Sequence, residues 1–382
     1  EAVRLLSAIG GSLRAQQRYT EALEYHERAE RYARALSPPD PQTLGYALQS
    51  AGMTHAEAGN YAEAERYIRE SLPLVRGVVH EGNDLYANSL ATLALLAQRQ
   101  YRLDEAARLY DELLQREIDL LGPDHLLVGR AWNNLSHVKR ARGDYEGARQ
   151  ALEQAIRIYR AQLGFDGLDV ATAYHNLGGL YREAGSLEAS REALELALSM
   201  KRRIAGERSP HVVSTLMELS AVRRAQGDLE NADRLLKEAE SVAAETFDRS
   251  DPRLALLLAE RGRLELAAGR TIEAEQRLRE AVQAMGEQNP GRRADAMSAL
   301  GEALLRNGHL SQAREWFSET LALRRRTLPA DHWAIADTES RLGEVLVRLG
   351  ERAEGEKLLT QALEKLRAGN PPTEARIYAA RR

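Results

Sequence analysis

The chain has 382 residues, a formal net charge of −4, 43% hydrophobic and 29% charged residues, and no cysteine. That near-neutral balance gives no global basic signal for nucleic acid or a membrane surface. The missing cysteines exclude disulfides, thiolate zinc sites and thiol catalysis. No apolar run reaches the roughly 18 residues that a spanning helix needs. Aromatics are only 5%, so the core must be built of Leu, Ala, Ile, Val and Tyr, which suits closely packed helices better than sheets. The chain starts at Glu1 rather than Met, which reads as a fragment or a processed form.

Taken in order, the chain repeats one unit. A turn marker falls at Gln17, Gly59, Tyr101, Gly143, Gly185, Gly227 and Gly269 in steps of 42, then at Gly308 after 39 and at Gly350 after 42 again. The one short step implies a three-residue deletion in the loop around Gly286 to Arg293. A period in this range marks a solenoid, which grows by adding units rather than by enlarging one core. First helices are predicted near 2–16, 42–58, 85–99, 126–142, 168–184, 210–226, 252–268, 292–307 and 333–349. Second helices are predicted near 19–36, 61–79, 103–121, 145–163, 187–205, 229–246, 271–286, 310–327 and 352–367. Residues 1–370 form the array, and 371–382 a polar tail or the start of a capping helix after Pro371-Pro372.

The columns of the repeat carry its packing. Seven residues before each turn stands a small residue: Gly10, Gly52, Ala94, Ser136, Gly178, Ser220, Gly262, Gly301 and Gly343. Five after it is another: Ala22, Ala64, Ala106, Ala148, Ser190, Ala232, Ala274, Ala313 and Gly355. Small residues let the two helices of a pair approach where they cross. Four positions further on, a large residue fills the space between them: His26, Ile68, Tyr110, Leu152, Leu194, Leu236, Leu278, Phe317 and Leu359. The first helix has its own large column, Leu6, Leu48, Leu90, Trp132, Tyr174, Leu216, Leu258 and Met297, broken at Glu339.

This small-large-small pattern resembles the tetratricopeptide repeat. The 42-residue period and the linkers Leu121-Gly122-Pro123-Asp124-His125, Leu163-Gly164-Phe165-Asp166 and Leu328-Pro329-Ala330-Asp331-His332 resemble the repeats of kinesin light chains. The stretch Arg324-Arg325-Arg326 to Trp333 resembles the closing repeats of bacterial serine/threonine kinases with carboxy-terminal repeat arrays. No Gly-rich phosphate loop, His-Arg-Asp or Asp-Phe-Gly is present. The resemblance implies an all-α fold, a right-handed α-solenoid superhelix of about nine helix-turn-helix units. It implies a bacterial, cytoplasmic, non-catalytic scaffold that binds a protein or peptide segment in its concave groove, without cofactor or metal. Such a scaffold would be the sensory or docking region of a larger signalling protein. The alternatives are the sensor array of an NTPase-type or effector-linked switch and, more remotely, a helical ribonuclease.

The resemblance also implies that first helices line the concave face. Their inward positions then gather Arg130, Asn133, Asn134, His137, Arg140, His175, Asn176, Arg182 and Arg224 as partner-binding residues. Asn134 and Asn176 occupy equivalent positions one repeat apart. An amide both donates and accepts, so it can clamp a peptide backbone, and arginine adds charge-assisted bonds to carboxylates. The expected ligand is an extended acidic segment, not nucleic acid or membrane. Farther along, Glu218, Glu260, Asp295, Glu302, Asp337 and Glu344 outnumber Arg263, Arg306, Arg341 and Arg348. A basic middle and a more acidic end would orient a partner by charge. Self-association through the terminal units is a further expectation, because residues 1–18 expose an end of the array.

Sharper readings are weaker. Arg130 to His137 matches the Arg-x6-His spacing of a family of helical ribonucleases, but inside a repeat helix. His55, His80 and His125 lack acidic companions at metal-ligand spacing. Asp124 and Asp331 stand where an Asp caps the next helix. Arg324-Arg325-Arg326 reads as a solvated helix end.

Overall fold

Turns punctuate the chain where the sequence places them. The computed structural model describes residues 1–76, 79–80, 83–165, 167–286 and 290–368. At every turn marker the backbone is left-handed: Gly59, Gly143, Gly185, Gly227, Gly269, Gly308 and Gly350 have φ between 78° and 90°, and Gln17 and Tyr101 stand at 60° and 58°. That conformation ends one helix and re-aims the chain for the next, and glycine adopts it without the Cβ penalty.

The helices pair in order as α1 Ala2–Ala15 with α2 Tyr19–Arg34, α3 Pro41–Glu57 with α4 Tyr61–Val75, and α5 Leu85–Arg99 with α6 Leu103–Leu121. Next come α7 Leu126–Ala141 and α8 Tyr145–Leu163, α9 Leu168–Glu183 and α10 Leu187–Ala205, and α11 Pro210–Ala225 and α12 Leu229–Thr246. The last are α13 Pro252–Ala267 and α14 Thr271–Met285, α15 Pro290–Arg306 and α16 Leu310–Thr327, and α17 Trp333–Arg348 and α18 Arg352–Ala368. One expected helix is too long: 61–79 stops at Val75. Pro73 withdraws an N–H from its last turn, Arg76 is extended (φ −64°, ψ 112°), and Val79–His80 (β1) pairs antiparallel with Asn83–Asp84 (β2). The expected tail at 371–382 lies outside the described residues.

The columns meet as their sizes require. A Cβ on Gly10, Gly52, Gly178, Gly262 or Gly301 would stand 2.5–2.8 Å from His26, Ile68, Leu194, Leu278 or Phe317, sixteen residues on in each pair. The small residue of the first helix is thus the socket for the large residue of the second. Ala22, Ala64, Ala106, Ser190, Ala232, Ala274 and Ala313 of the facing small column are fully buried. Caps fix several helix starts: Asp40, Asp84, Ser209 and Asp251 accept from backbone N–H groups. At the second Asp-His linker the expected cap is corrected: His332, not Asp331, caps α17, its Nδ1 accepting from Ala334 N at 3.2 Å. At the first, Nδ1 of His125 accepts from Leu127 N at 3.3 Å.

The chain divides into two compact units, residues 1–138 and 139–382. Within each, a second helix packs on the first helix of the next pair, and successive first helices touch one another directly: α1 with α3 and α3 with α5 in unit 1, and α9, α11, α13, α15 and α17 serially in unit 2. First helices crowding on one side give each unit an inner face made of those helices. The core of unit 2 runs between the two layers, around Val213, Leu216, Leu236, Leu300 and Phe317.

Candidate functional site

On α7 in unit 1, Arg130, Asn133, Asn134 and His137 share one face at helical spacing. Arg130 is exposed and the other three are half-buried. In unit 2, Arg140 ends α7, His175, Asn176 and Arg182 stand on α9, and Arg224 on α11. All are half-buried.

The arginines of unit 2 are not a bare basic surface. Arg182 Nε donates to Glu218 at 3.0 Å, and one repeat later Arg224 Nε donates to Glu260 at 3.0 Å. Arg182 and Arg224 stand three residues before their turns, and Glu218 and Glu260 nine before the next. A ladder results, each inward arginine meeting the inward acid of the following repeat. The acidic end is paired too: Arg263 with Glu260, Arg306 and Arg341 with Glu302, Arg341 with Asp337, and Arg348 with Glu344. The expected basic middle and acidic end are therefore interleaved charges. Arg140 breaks the series. The ladder position opposite it is held by Asn176, an amide in place of an acid, and Arg140 turns to Glu183 at 3.6 Å. Its guanidinium lies over Gly179, whose added Cβ would sit 3.6 Å from Nη1. Arg140, Asn176 and Gly179 thus make a notch where the carboxylate of the next two steps is replaced.

Beside the notch is a buried polar chain. Lys201 Nζ donates to Thr215 Oγ1 at 2.9 Å, and that hydroxyl lies 3.2 Å from His175 Nδ1. A hydroxyl that accepts from an ammonium has its own proton to give, so Nδ1 of His175 is the acceptor and the ring is neutral. Burial first, and Lys201 second, push His175 down to about 3. Burial alone pushes Lys201 down to about 8. Burial opposes ionisation of Glu218, yet Arg182 and Arg292 hold it well below the usual carboxylate range. Arg324 repeats the Lys201 arrangement between α16 and α17, donating to Thr338 Oγ1 at 2.6 Å and to Ala334 O at 2.9 Å. It is 5% exposed, and Arg325 donates to Glu339 at 2.9 Å. The expected solvated basic end is corrected for Arg324, which packs against α17, while Arg325 and Arg326 stay exposed. Glu339, which interrupts the large column, is buried between Arg325 and Lys365.

The inner face of unit 2 is also bridged from across. Arg292 at the start of α15 reaches Glu218 of α11 at 3.7 Å, past the intervening α13. Trp333, the first residue of α17, donates its indole N–H to the Tyr145 hydroxyl at the start of α8, at 2.9 Å across 188 residues. Burial, with Glu183 adding to it, pushes Tyr145 up to about 12. His332 is lowered to about 4 by burial and then Arg324, against Glu183, Asp295 and Asp331.

Lys201, Thr215, Arg292 and Tyr145 were not singled out from the sequence. One signal was available. The column sixteen residues past each turn is Ala33, Val75, Glu117, Tyr159, Lys201, Ala243, Met285, Arg324 and Leu366. Three ionisable residues in a mostly apolar column mark buried charge. Glu117 is the third, pushed up to about 7 by burial and Asp84. Elsewhere in unit 2, a shallow cavity of about 580 Å³ between α8 and α9 is lined by Ile156, Arg157, Arg160, Phe165, Tyr174 and Leu177 among others. Among the described residues no group of three or more His, Asp or Glu could hold a metal ion, and no helix is long and apolar enough to cross a membrane.

Comparison with known proteins agrees with this architecture. Tetratricopeptide repeat models match residues 1–77, 85–161 and 293–334, together more than half of the chain. A MalT-like TPR region model matches 128–283. Among solved structures, BtubC (BKLC) from P. vanneervenii is 24% identical, with a TM-score of 0.52 over 59% of this chain and 91% of that one. A Rap protein complexed with Competence and Sporulation Factor superposes over 96% of this chain and 98% of its own, with a TM-score of 0.63 and 13% identity. The apo form of the quorum sensor NprR from B. thuringiensis has a TM-score of 0.63 over 84% of this chain and 87% of its own, at 13% identity. At these identities the likeness is one of fold. The repeat columns, the left-handed turns and the family matches lead to one conclusion: the chain belongs to the tetratricopeptide repeat family.

Proposed function

We propose that the chain is a non-catalytic scaffold that binds an extended segment of a partner protein on the inner faces of its first helices, and that the notch at Arg140, Asn176 and Gly179 receives a carboxylate of that segment. The observation that carries this is the interrupted ladder. Glu218 and Glu260 show what the geometry accepts opposite an inward arginine, and Asn176 leaves that role to an incoming acid. The amide of Asn176 can bond the segment's backbone while Arg140 takes its charge. Arg130, Asn133, Asn134 and His137 offer a comparable polar face on α7 of unit 1. The Rap structure in complex with Competence and Sporulation Factor supports the reading, because a protein of this fold there holds another molecule. The same reading makes the chain the docking or sensory part of a larger cytoplasmic signalling protein of bacterial type, with the kinase-like closing stretch Arg324 to Trp333 pointing to a serine/threonine kinase.

The test is titration with an oligoglutamate peptide. Asn176→Glu installs the residue that the next two repeats carry, so folding is preserved and Arg140 is claimed internally. Affinity should fall by about tenfold or more, the worth of one charge-assisted contact. Asn133→Ala and Asn134→Ala, assayed singly, report on α7. Unchanged affinity in Asn176→Glu would sink the assignment of the notch.

A further inference from the structure

The start of α17 comes near the notch through Tyr145. Trp333 bonds Tyr145 from across unit 2, and Tyr145 lies within electrostatic reach of Arg140, Arg182 and Glu183. His332, the residue before Trp333, is in turn within reach of Glu183. Arg292 braces the same inner face farther on, through Glu218. The Arg140 side chain is 27% exposed. The contact joins α8 to α17 through side chains 188 residues apart, whereas most of the packing of unit 2 lies between helices near in sequence. A single neutral hydrogen bond contributes little net free energy, so such a contact is poised to open.

We propose that the Tyr145–Trp333 contact is a latch that holds unit 2 closed over the Arg140–Asn176 notch, so that a partner segment binds to the opened form and competes with the ninth repeat for access. This rests on the reading of the notch as a carboxylate site. An equilibrium of this kind is set by the difference in affinity between the two forms. A ligand that prefers the open form therefore binds more tightly when the latch is weakened, and its binding opens the latch.

The chain has no cysteine, so the exposed Glu146 and Asp331 can be replaced as Glu146→Cys and Asp331→Cys and spin-labelled without background in the full chain. The expected result is one short, narrow distance distribution between the labels. Tyr145→Phe, which removes only the hydroxyl, and Trp333→Phe, which removes the indole N–H together with part of the ring, should broaden it toward longer distances. The double variant should do no more than either single one. Added oligoglutamate should lengthen the distance in the otherwise native chain, and Tyr145→Phe should tighten oligoglutamate binding by about threefold or more, roughly one hydrogen bond's worth. A distribution that neither variant moves overturns the latch. An affinity that Tyr145→Phe leaves unchanged while Asn176→Glu lowers it overturns the gating and leaves the notch standing. Variants that lengthen the distance while Asn176→Glu leaves affinity unchanged remove the notch, and with it the role given to the latch.

Discussion

Individual side chains in this array are set by what the repeat lets them touch. His332 caps α17 by accepting through Nδ1, which requires the neutral ring. Protonation would remove the acceptor and set a positive charge against the positive end of a helix. Its lowered value of about 4 has a consequence for stability. The unfolded chain takes up a proton as pH falls through the ordinary histidine value of 6.5, and the folded chain does so only near 4. Stability is therefore present above the ordinary value and lost as pH falls toward 4, by about 2 kcal/mol between pH 7 and pH 5 for this one group. His332→Asn keeps a capping acceptor and removes the titration. Urea unfolding at the two pH values should show an acid loss smaller by about that amount, with the part owed to His175 retained. An unchanged difference would contradict the role given to the ring. Gln17 and Tyr101 show the other side of local constraint: both hold left-handed turns without being glycine, so the array, not the residue, imposes the turn.

At the scale of the helix pair, most of the fold was legible in the sequence. The residues that meet are sixteen apart within one repeat, and the pairing of Gly178 with Leu194 recurs at Gly10, Gly52, Gly262, Gly301 and Gly343. A Cβ on Gly178 would stand 2.5 Å from Leu194 Cγ. Gly178→Ala should destabilise unit 2 by about 1–2 kcal/mol through overpacking. The effect stays moderate because the repeat already holds a Cβ at the equivalent position in Ser220 and Ala94. Combining it with Leu194→Ala should recover part of the loss relative to Leu194→Ala alone, a coupling that thermal or urea unfolding of the four proteins measures. Additive losses would show that the two residues do not share the socket. The candidate site was less legible because its pairs cross repeats. Arg182 finds Glu218 and Arg224 finds Glu260 at a separation of 36, a register fixed by how one hairpin stacks on the next. The inward arginines were recognisable as inward, but their acids were read as a separate, distant patch. The Tyr145–Trp333 bond depends on the curvature accumulated over several repeats, which no local pattern encodes.

At the scale of the molecule, two compact units carry polar inner faces, and unit 2 satisfies its own inward charges by a ladder that runs from repeat to repeat. Such a ladder stabilises weakly where solvent reaches it and matters more where it is desolvated. Glu260 is only 4% exposed, so its pairing with Arg224 serves a buried charge, whereas Arg140 faces Glu183 at 3.6 Å, a carboxylate that is itself partly exposed. Arginines at equivalent positions should then differ in what they do. The most direct test is oligoglutamate titration of Arg140→Gln beside Arg224→Gln, with unfolding measured on both. Arg140→Gln should lower affinity by about tenfold with little change in stability, and Arg224→Gln should lower stability and leave affinity within about twofold. Equal losses of affinity in the two variants, or a loss confined to Arg224→Gln, would contradict a binding notch at the break in the ladder.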